Sequence, residues 1–346
     1  MLSIGVTYAD VTLTGTVNQV YTNQNITTTT GTSSATTTIG SRAGATGDSF
    51  ITFAGSEDLG SGLKASFKIE PRVNMNGSDS ALNDNSNPSK AIGSGSSLFG
   101  LNREAHVDLS GAFGSVAIGN NYTPLFLQAV APFDVNGSTN AVGYTVSNNT
   151  TFNATNSIAY TLPSLVDGLT AQIAINKAGA SNVSTGNSTG YGLSYTTGGL
   201  SAGFASETTT VGALSNAYNS VIGTTTTLTS NEGTDLTKTA YGVSYNFGMA
   251  KVAFQGLTAK KTADKIETIG YGVSIPFGAI TVNLSASNET DTFANVTTKF
   301  AGSQLAASYA LSKRTSVYFL NGSYKDSGAA AKSAAKQTSM GLTHAF

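Results

Sequence analysis

Two stretches of the chain put charged side chains on alternate residues: Lys64, Lys68, Glu70 and Arg72 in one, Glu104, His106 and Asp108 in the other. A spacing of two sends side chains to one face of an extended strand, so each stretch carries a charged stripe. Such a stripe could hold a metal or serve enzyme chemistry. Neither use finds support. His106 and His344 share no ligand spacing with each other or with a carboxylate cluster. No nucleophile elbow, phosphate-binding loop or dinucleotide glycine pattern occurs. No enzymatic activity and no cofactor are expected.

Stripes of this kind need a wall to carry them, and the composition restricts which wall. The 346 residues hold 18 Lys+Arg and 19 Asp+Glu, a net charge of −1, so a surface for nucleic acid is not expected. Charged residues are 11% of the chain, against about 25% in soluble domains. Mean hydropathy is −0.01, and no run of about 18 apolar residues exists from which to build a membrane helix. Cys is absent, which excludes disulfides and thiolate metal sites. The Asn-x-Ser/Thr triplets are expected by chance from so much Asn, Ser and Thr. The first ten residues lack a basic segment followed by an apolar core, so any export signal is expected to be absent from this sequence.

Alternation at period two is the dominant signal throughout. In Leu63–Glu70 the odd positions are apolar and the even ones polar, and the same reading applies to Leu169/Ala171/Ile173/Ile175, Tyr241/Val243/Tyr245 and Ile280/Val282/Leu284/Ala286. Helical spacing is confined to a short piece near 124–130. Counting alternating runs predicts sixteen strands between 11–22 and 336–346. Connections after odd-numbered strands are expected to be the longer ones, such as 23–48, 74–97, 121–155 and 208–236. Those after even-numbered strands are tight, such as Asn246-Phe247-Gly248-Met249. Loops sorted by length onto two ends, with strands of roughly ten residues, are the pattern of a transmembrane barrel. Lipid demands that such a sheet close, because an open edge would strand N–H and C=O groups in hydrocarbon. The expected fold is thus an all-β, 16-stranded antiparallel transmembrane barrel, a single domain over 1–346. Tyr160, Tyr191, Tyr195, Tyr241, Tyr245, Tyr271, Tyr309 and Tyr318 would suit an interfacial girdle.

Four stretches resemble the Gram-negative general porin family: Phe53–Ala65, Leu98–Gly114, Gly119-Asn120-Asn121-Tyr122-Thr123-Pro124-Leu125, and Ala307–Tyr318. The last strand, ending in Leu342-Thr343-His344-Ala345-Phe346, resembles the assembly signal of outer-membrane barrels, read at Phe346 by the barrel-assembly machinery. The resemblance implies an outer-membrane location among lipid and lipopolysaccharide and a homotrimer. It also implies a water-filled channel per subunit, narrowed by an inward-folded third loop, passing small solutes and ions. That plan puts the constriction loop at 121–155. Its apolar piece, Pro124 to Asp134, must be buried somewhere, and the inner wall is the expected place.

Residues expected to line the channel are Lys64, Lys68, Glu70, Arg72, Glu104, His106, Asp108, Asn120, Asp134 and Lys238. Lys251 joins them if a turn sets its register, Arg42 belongs to the first loop, and Arg103, on apolar parity, is expected at the rim or on a bulge. Asp134 is expected to oppose Lys68 or Arg72 across the opening. Phe50 and Asn120 stand where the resemblance implies wall arginines, so a weaker anion preference is expected. The competing expectation is a surface adhesin or secreted β-protein that binds partners through Thr/Ser/Asn-rich loops. It would extract into plain buffer.

Overall fold

The fold is that of a computed structural model, which describes residues 10–27, 33–40, 47–73, 75, 99–137, 146, 149–177, 187–210, 214–215, 227–228, 235–262, 264–293, 296–326 and 334–346. Arg42 falls outside them. Nineteen strands form among the described residues. The first ten are β1 (Asp10–Thr27), β2 (Ser33–Gly40), β3 (Phe50–Gly60), β4 (Leu63–Val73), β5 (Phe99–Gly111), β6 (Gly114–Tyr122), β7 (Asn153–Thr161), β8 (Leu169–Asn176), β9 (Ser188–Thr197) and β10 (Leu200–Thr209). Two short bridges follow, β11 (Leu214–Ser215) and β12 (Thr227–Leu228). The remainder are β13 (Leu236–Asn246), β14 (Lys251–Lys261), β15 (Asp264–Phe277), β16 (Ile280–Phe293), β17 (Val296–Ala310), β18 (Thr315–Asp326) and β19 (Ala334–Ala345).

Each of the long strands pairs antiparallel with the next, and β1 pairs with β19 over Thr16–Thr27, which closes the sheet into a ring. β2 and β3 share one place in that ring: β2 pairs with the upper half of β1 and β3 with its lower half. The ring therefore has sixteen staves, as the alternation predicts. Thr, Val, Tyr and Ile suit a pleated, half-buried surface, and closure gives every stave a hydrogen-bonded neighbour on each side. Phe346 completes the seam, its N–H donating to the Gly15 carbonyl at 3.0 Å and its own carbonyl accepting from the Gly15 N–H at 3.1 Å.

Inside and outside separate cleanly. Val11, Leu13, Val107, Ile118, Tyr191 and Tyr241 are exposed on the outer face. The opposite face buries Asn18, Thr22, Glu70, Gln255, Glu289, Gln304 and Ser339. A sandwich would bury the apolar face instead. Tyr318 departs from the expected girdle. It lies on the inward parity of β18, 5% exposed, with its hydroxyl donating to Asn18 Oδ1 at 2.7 Å.

The connections after the eleventh and thirteenth staves are not long. β14 and β15 are separated by residues 262–263, and β16 and β17 by 294–295, because the strands run on to 14 or 15 residues. At ~3.3 Å per residue these staves overrun an apolar band ~25 Å tall, so their far ends stand clear of the bilayer. The polar Thr, Asn and Lys that read as loop in the sequence are paired backbone there.

Candidate functional site

Charged residues collect on one arc of the inner wall, across β3, β4 and β5. In-register pairing sets Lys68 opposite His106 and Glu70 opposite Glu104. Lys68 forms a close ion pair with Glu104 and lies 3.2 Å from Glu70. His106 Nδ1 is 3.0 Å from Asp108, and its Nε2 is 3.6 Å from Glu104. Arg72 Nε is 2.9 Å from Asp48. Lys68 keeps a third of its side-chain surface open (32%), so the arc faces water rather than a packed core.

Arg103 joins this arc through a bulge. Pairing passes from Glu70↔Glu104 to Pro71↔Asn102, leaving Arg103 as the extra residue of β5. A bulge places two residues against one and re-aims side chains, which turns an odd-numbered residue inward. Pro71 cannot donate to the ladder, which makes this a natural place for the break. The guanidinium is 2.7 Å from Glu70 and 3.5 Å from Asp48, and stands 4.2 Å over the ring of Phe50. Asn120 does not project freely from the wall. Its amide donates to the Arg103 carbonyl at 3.3 Å, and the Asn153 amide donates to the same carbonyl. A second irregularity beside it is enforced by Gly119, whose φ of +145° and contact with the Ala105 carbonyl leave no room for a Cβ. Lys64 shares the inward parity but sits exposed beside the tight turn at Gly60–Leu63.

The third loop covers the opposite arc. After Thr123 the chain makes a short helical passage through Leu125–Val130 and Ala131–Phe133, burying Leu125, Ala129, Val130 and Phe133. Its seat is made by missing side chains. A Cβ on Gly203 would lie 1.9 Å from the Gln128 carbonyl, one on Gly242 2.1 Å from the Phe133 ring, and one on Gly272 2.4 Å from Val135. Gly203 and Gly242 are paired in register, so they form one notch, and Phe133 fills it at 1% exposure.

Polar bonds fasten the rest of the loop. Ser194 donates to Gln128 at 2.6 Å, Asn136 to Ser285, and Asn149 to Glu289 at 2.7 Å. Two residues expected to line the channel belong to this seat. Lys238 donates to Thr151 at 3.1 Å beneath the loop, with Glu207 as its cross-strand neighbour. Lys251, on the inward parity of β14, donates to the Pro132 carbonyl at 2.8 Å. Asp134 is 8% exposed and bonds the Asn136 N–H at 2.9 Å. Lys251 is a cation in its field.

Comparisons with known proteins agree with this geometry. The Gram-negative porin family matches residues 2–329. The chain belongs to that family. It is a barrel integral to the outer membrane. Outer membrane porin protein 32 of Delftia acidovorans is 29% identical over 247 residues, 65% of this chain. Major outer membrane protein P.IA of Neisseria meningitidis serogroup C is 38% identical over 90 residues, 25% of this chain. The matches span 60% and 19% of those relatives' lengths. Among solved structures, the anion-selective porin from Comamonas acidovorans superposes with a TM-score of 0.74 at 23% identity, covering 98% of this chain and all of that one. The trimer form of OmpT from Vibrio cholerae gives 0.65 at 13% identity, covering 98% and 100%. At these identities the likeness is one of fold.

One wall residue was not legible in the sequence: Asp48 lies between strands, where parity says nothing. Arg103 was readable from its apolar parity as a rim or bulge residue, and it stands on a bulge.

Proposed function

We propose that this porin forms a water-filled channel for passive passage of small hydrophilic solutes and ions, with weak ion selectivity and without enzymatic chemistry. The observation that carries the reading is the charge balance of the open arc. Lys68, Arg72 and Arg103 face Asp48, Glu70 and Glu104, and His106 is held by Asp108. A sixteen-stranded ring is wide enough to hold water. A lumen lined by paired charges presents little net field to either sign of ion. Phe50 and Asn120, at two wall positions where general porins carry arginine, add no cation. The Comamonas acidovorans protein is anion-selective; this chain is expected to be less so.

A homotrimer belongs to the same proposal. The outer face of β3 to β6 has an apolar depression of about 560 Å³ lined by Gly55, Ala65, Phe67, Ile69, Val107 and Ile118, suited to packing against a second copy. Insertion by the assembly machinery through Phe346, among lipopolysaccharide and lipid, and a constriction made by residues 121–155 complete it. A soluble adhesin would have to hide the outward apolar bands that this ring leaves exposed.

Purified protein in planar bilayers tests the reading. Uniform conductance steps are expected, with reversal potentials close to zero in a potassium chloride gradient. Absence of steps from heat-modifiable, detergent-soluble protein overturns the channel; a strong anion preference overturns the weak selectivity.

A further inference from the structure

We infer that Asp48 determines the ion preference of this channel by masking two wall arginines at once. The inference rests on the channel reading above and adds the residue responsible for the balance. Asp48 is the one carboxylate among the described residues within ion-pair distance of both Arg72, at 2.9 Å, and Arg103, at 3.5 Å. Its side chain is 13% exposed, reachable from the lumen but not free to swing.

The neighbours of Asp48 in the chain fix its place. The Ser49 hydroxyl accepts from the Asn18 N–H at 2.9 Å and donates to the Asn18 carbonyl at 3.1 Å. The Ser49 carbonyl accepts from the Val73 N–H at 2.8 Å, and the Asn18 amide donates to the Gly47 carbonyl at 3.2 Å. Residues on both sides of Asp48 are therefore tied to β1 and β4 without help from its carboxylate. The segment is expected to stay in place when that charge is removed.

The remaining acids cannot replace it. Glu70 already accepts from Thr52 at 2.7 Å and is shared between Lys68 and Arg103. Glu104 is shared between Lys68 and His106. Arg72 has no second carboxylate within ion-pair distance among the described residues. Asp134 lies on the far wall beside Lys251. Removing the Asp48 charge would leave Arg72 unpaired and Arg103 with half of its counter-charge, on a wall whose low-dielectric backing strengthens the field in the lumen.

The experiment compares bilayer reversal potentials of the wild type with Asp48→Asn, Asp48→Glu and Asp48→Cys. Asp48→Asn and Asp48→Cys are expected to raise the chloride-to-potassium permeability ratio about threefold or more, and Asp48→Glu to keep the wild-type ratio. Because the chain has no native Cys, the introduced thiol can be modified alone, in the open channel. A sulfonatoethyl methanethiosulfonate reagent should return the ratio toward wild type, and a trimethylammonioethyl one should raise it further. A purely structural role would make both reagents act in the same direction. That result, or conducting variants with an unchanged ratio, overturns the inference while leaving the channel reading intact. Failure of the wild type to conduct overturns the channel reading instead. Should no Asp48 variant fold, Arg72→Gln decides: the released carboxylate should move the ratio toward potassium, and an unchanged ratio overturns the inference.

Discussion

The two arcs of the inner wall solve the same problem in opposite ways. Polar surface facing a lumen must be hydrated, paired or covered. The arc of β3 to β5 pairs its charges with one another and stays open to water. The arc from β9 to β16 gives up side chains at Gly203, Gly242 and Gly272 and is covered by a loop. In the proposed channel the first arrangement would set the field and leave the bore alone, and the second would set the bore, its Lys238 standing across from Glu207 and its Lys251 beside Asp134. Bore and charge preference are therefore expected to be separable by mutation.

The strongest attempt to break that separation is Gly242→Leu. With the Phe133 ring 2.1 Å from the nearest added atom, the loop must leave its seat. Single-channel conductance and the largest sugar admitted in liposome swelling should both rise, by about twofold in conductance, with the ion ratio little changed. Phe133→Ala tests the same notch from the loop side. Emptying a fully buried aromatic site costs about 3–5 kcal/mol, which should appear as frequent loop opening, seen as noisy conductance in an intact heat-modifiable barrel.

On the open arc, Glu104→Gln should shift the ion ratio toward anions at constant conductance. The shift should be smaller than that from a residue serving two arginines, because Glu70 remains beside Lys68 at 3.2 Å. Tyr318→Phe lies away from both arcs and removes one buried hydrogen bond to Asn18. It should cost about 1 kcal/mol of barrel stability in urea titrations and leave conductance unchanged. The smallest effect is that of salt. Raising ionic strength to about 1 M shortens the screening length to about 3 Å, which should erase differences in ion ratio among open-arc variants and leave the wider bore of Gly242→Leu in place.

Most of the fold can be read in the sequence because period two survives wherever one face meets lipid: Leu63 to Glu70 and Ile280 to Ala286 already show which side is which. The same rule supplies Lys68, Glu70, Glu104, His106 and Asp108 as one wall. It misleads where pairing breaks step or a loop intervenes. Arg103 is turned inward by a single extra residue, Asp48 enters from outside any strand, and Tyr318 faces inward although its neighbours in the predicted girdle face out. Lys238 is polar in sequence, but it hydrogen-bonds Thr151 beneath the third loop, a contact that alternation along its own strand does not show. The long staves β15 to β17 were hidden because, above the bilayer, neither face is required to be apolar.

The notch at Gly203 and Gly242 has a consequence for how such a protein can change over time. In the proposed channel two positions without side chains would hold the gauge of the opening, since any heavier residue there meets Gln128 or Phe133 at once. Descendants that keep the gauge are thus free to vary mainly on the opposite arc, where one acidic or basic replacement retunes which solutes pass. Adaptation to a new chemical surrounding would then leave the seat of the loop untouched while the facing charges drift.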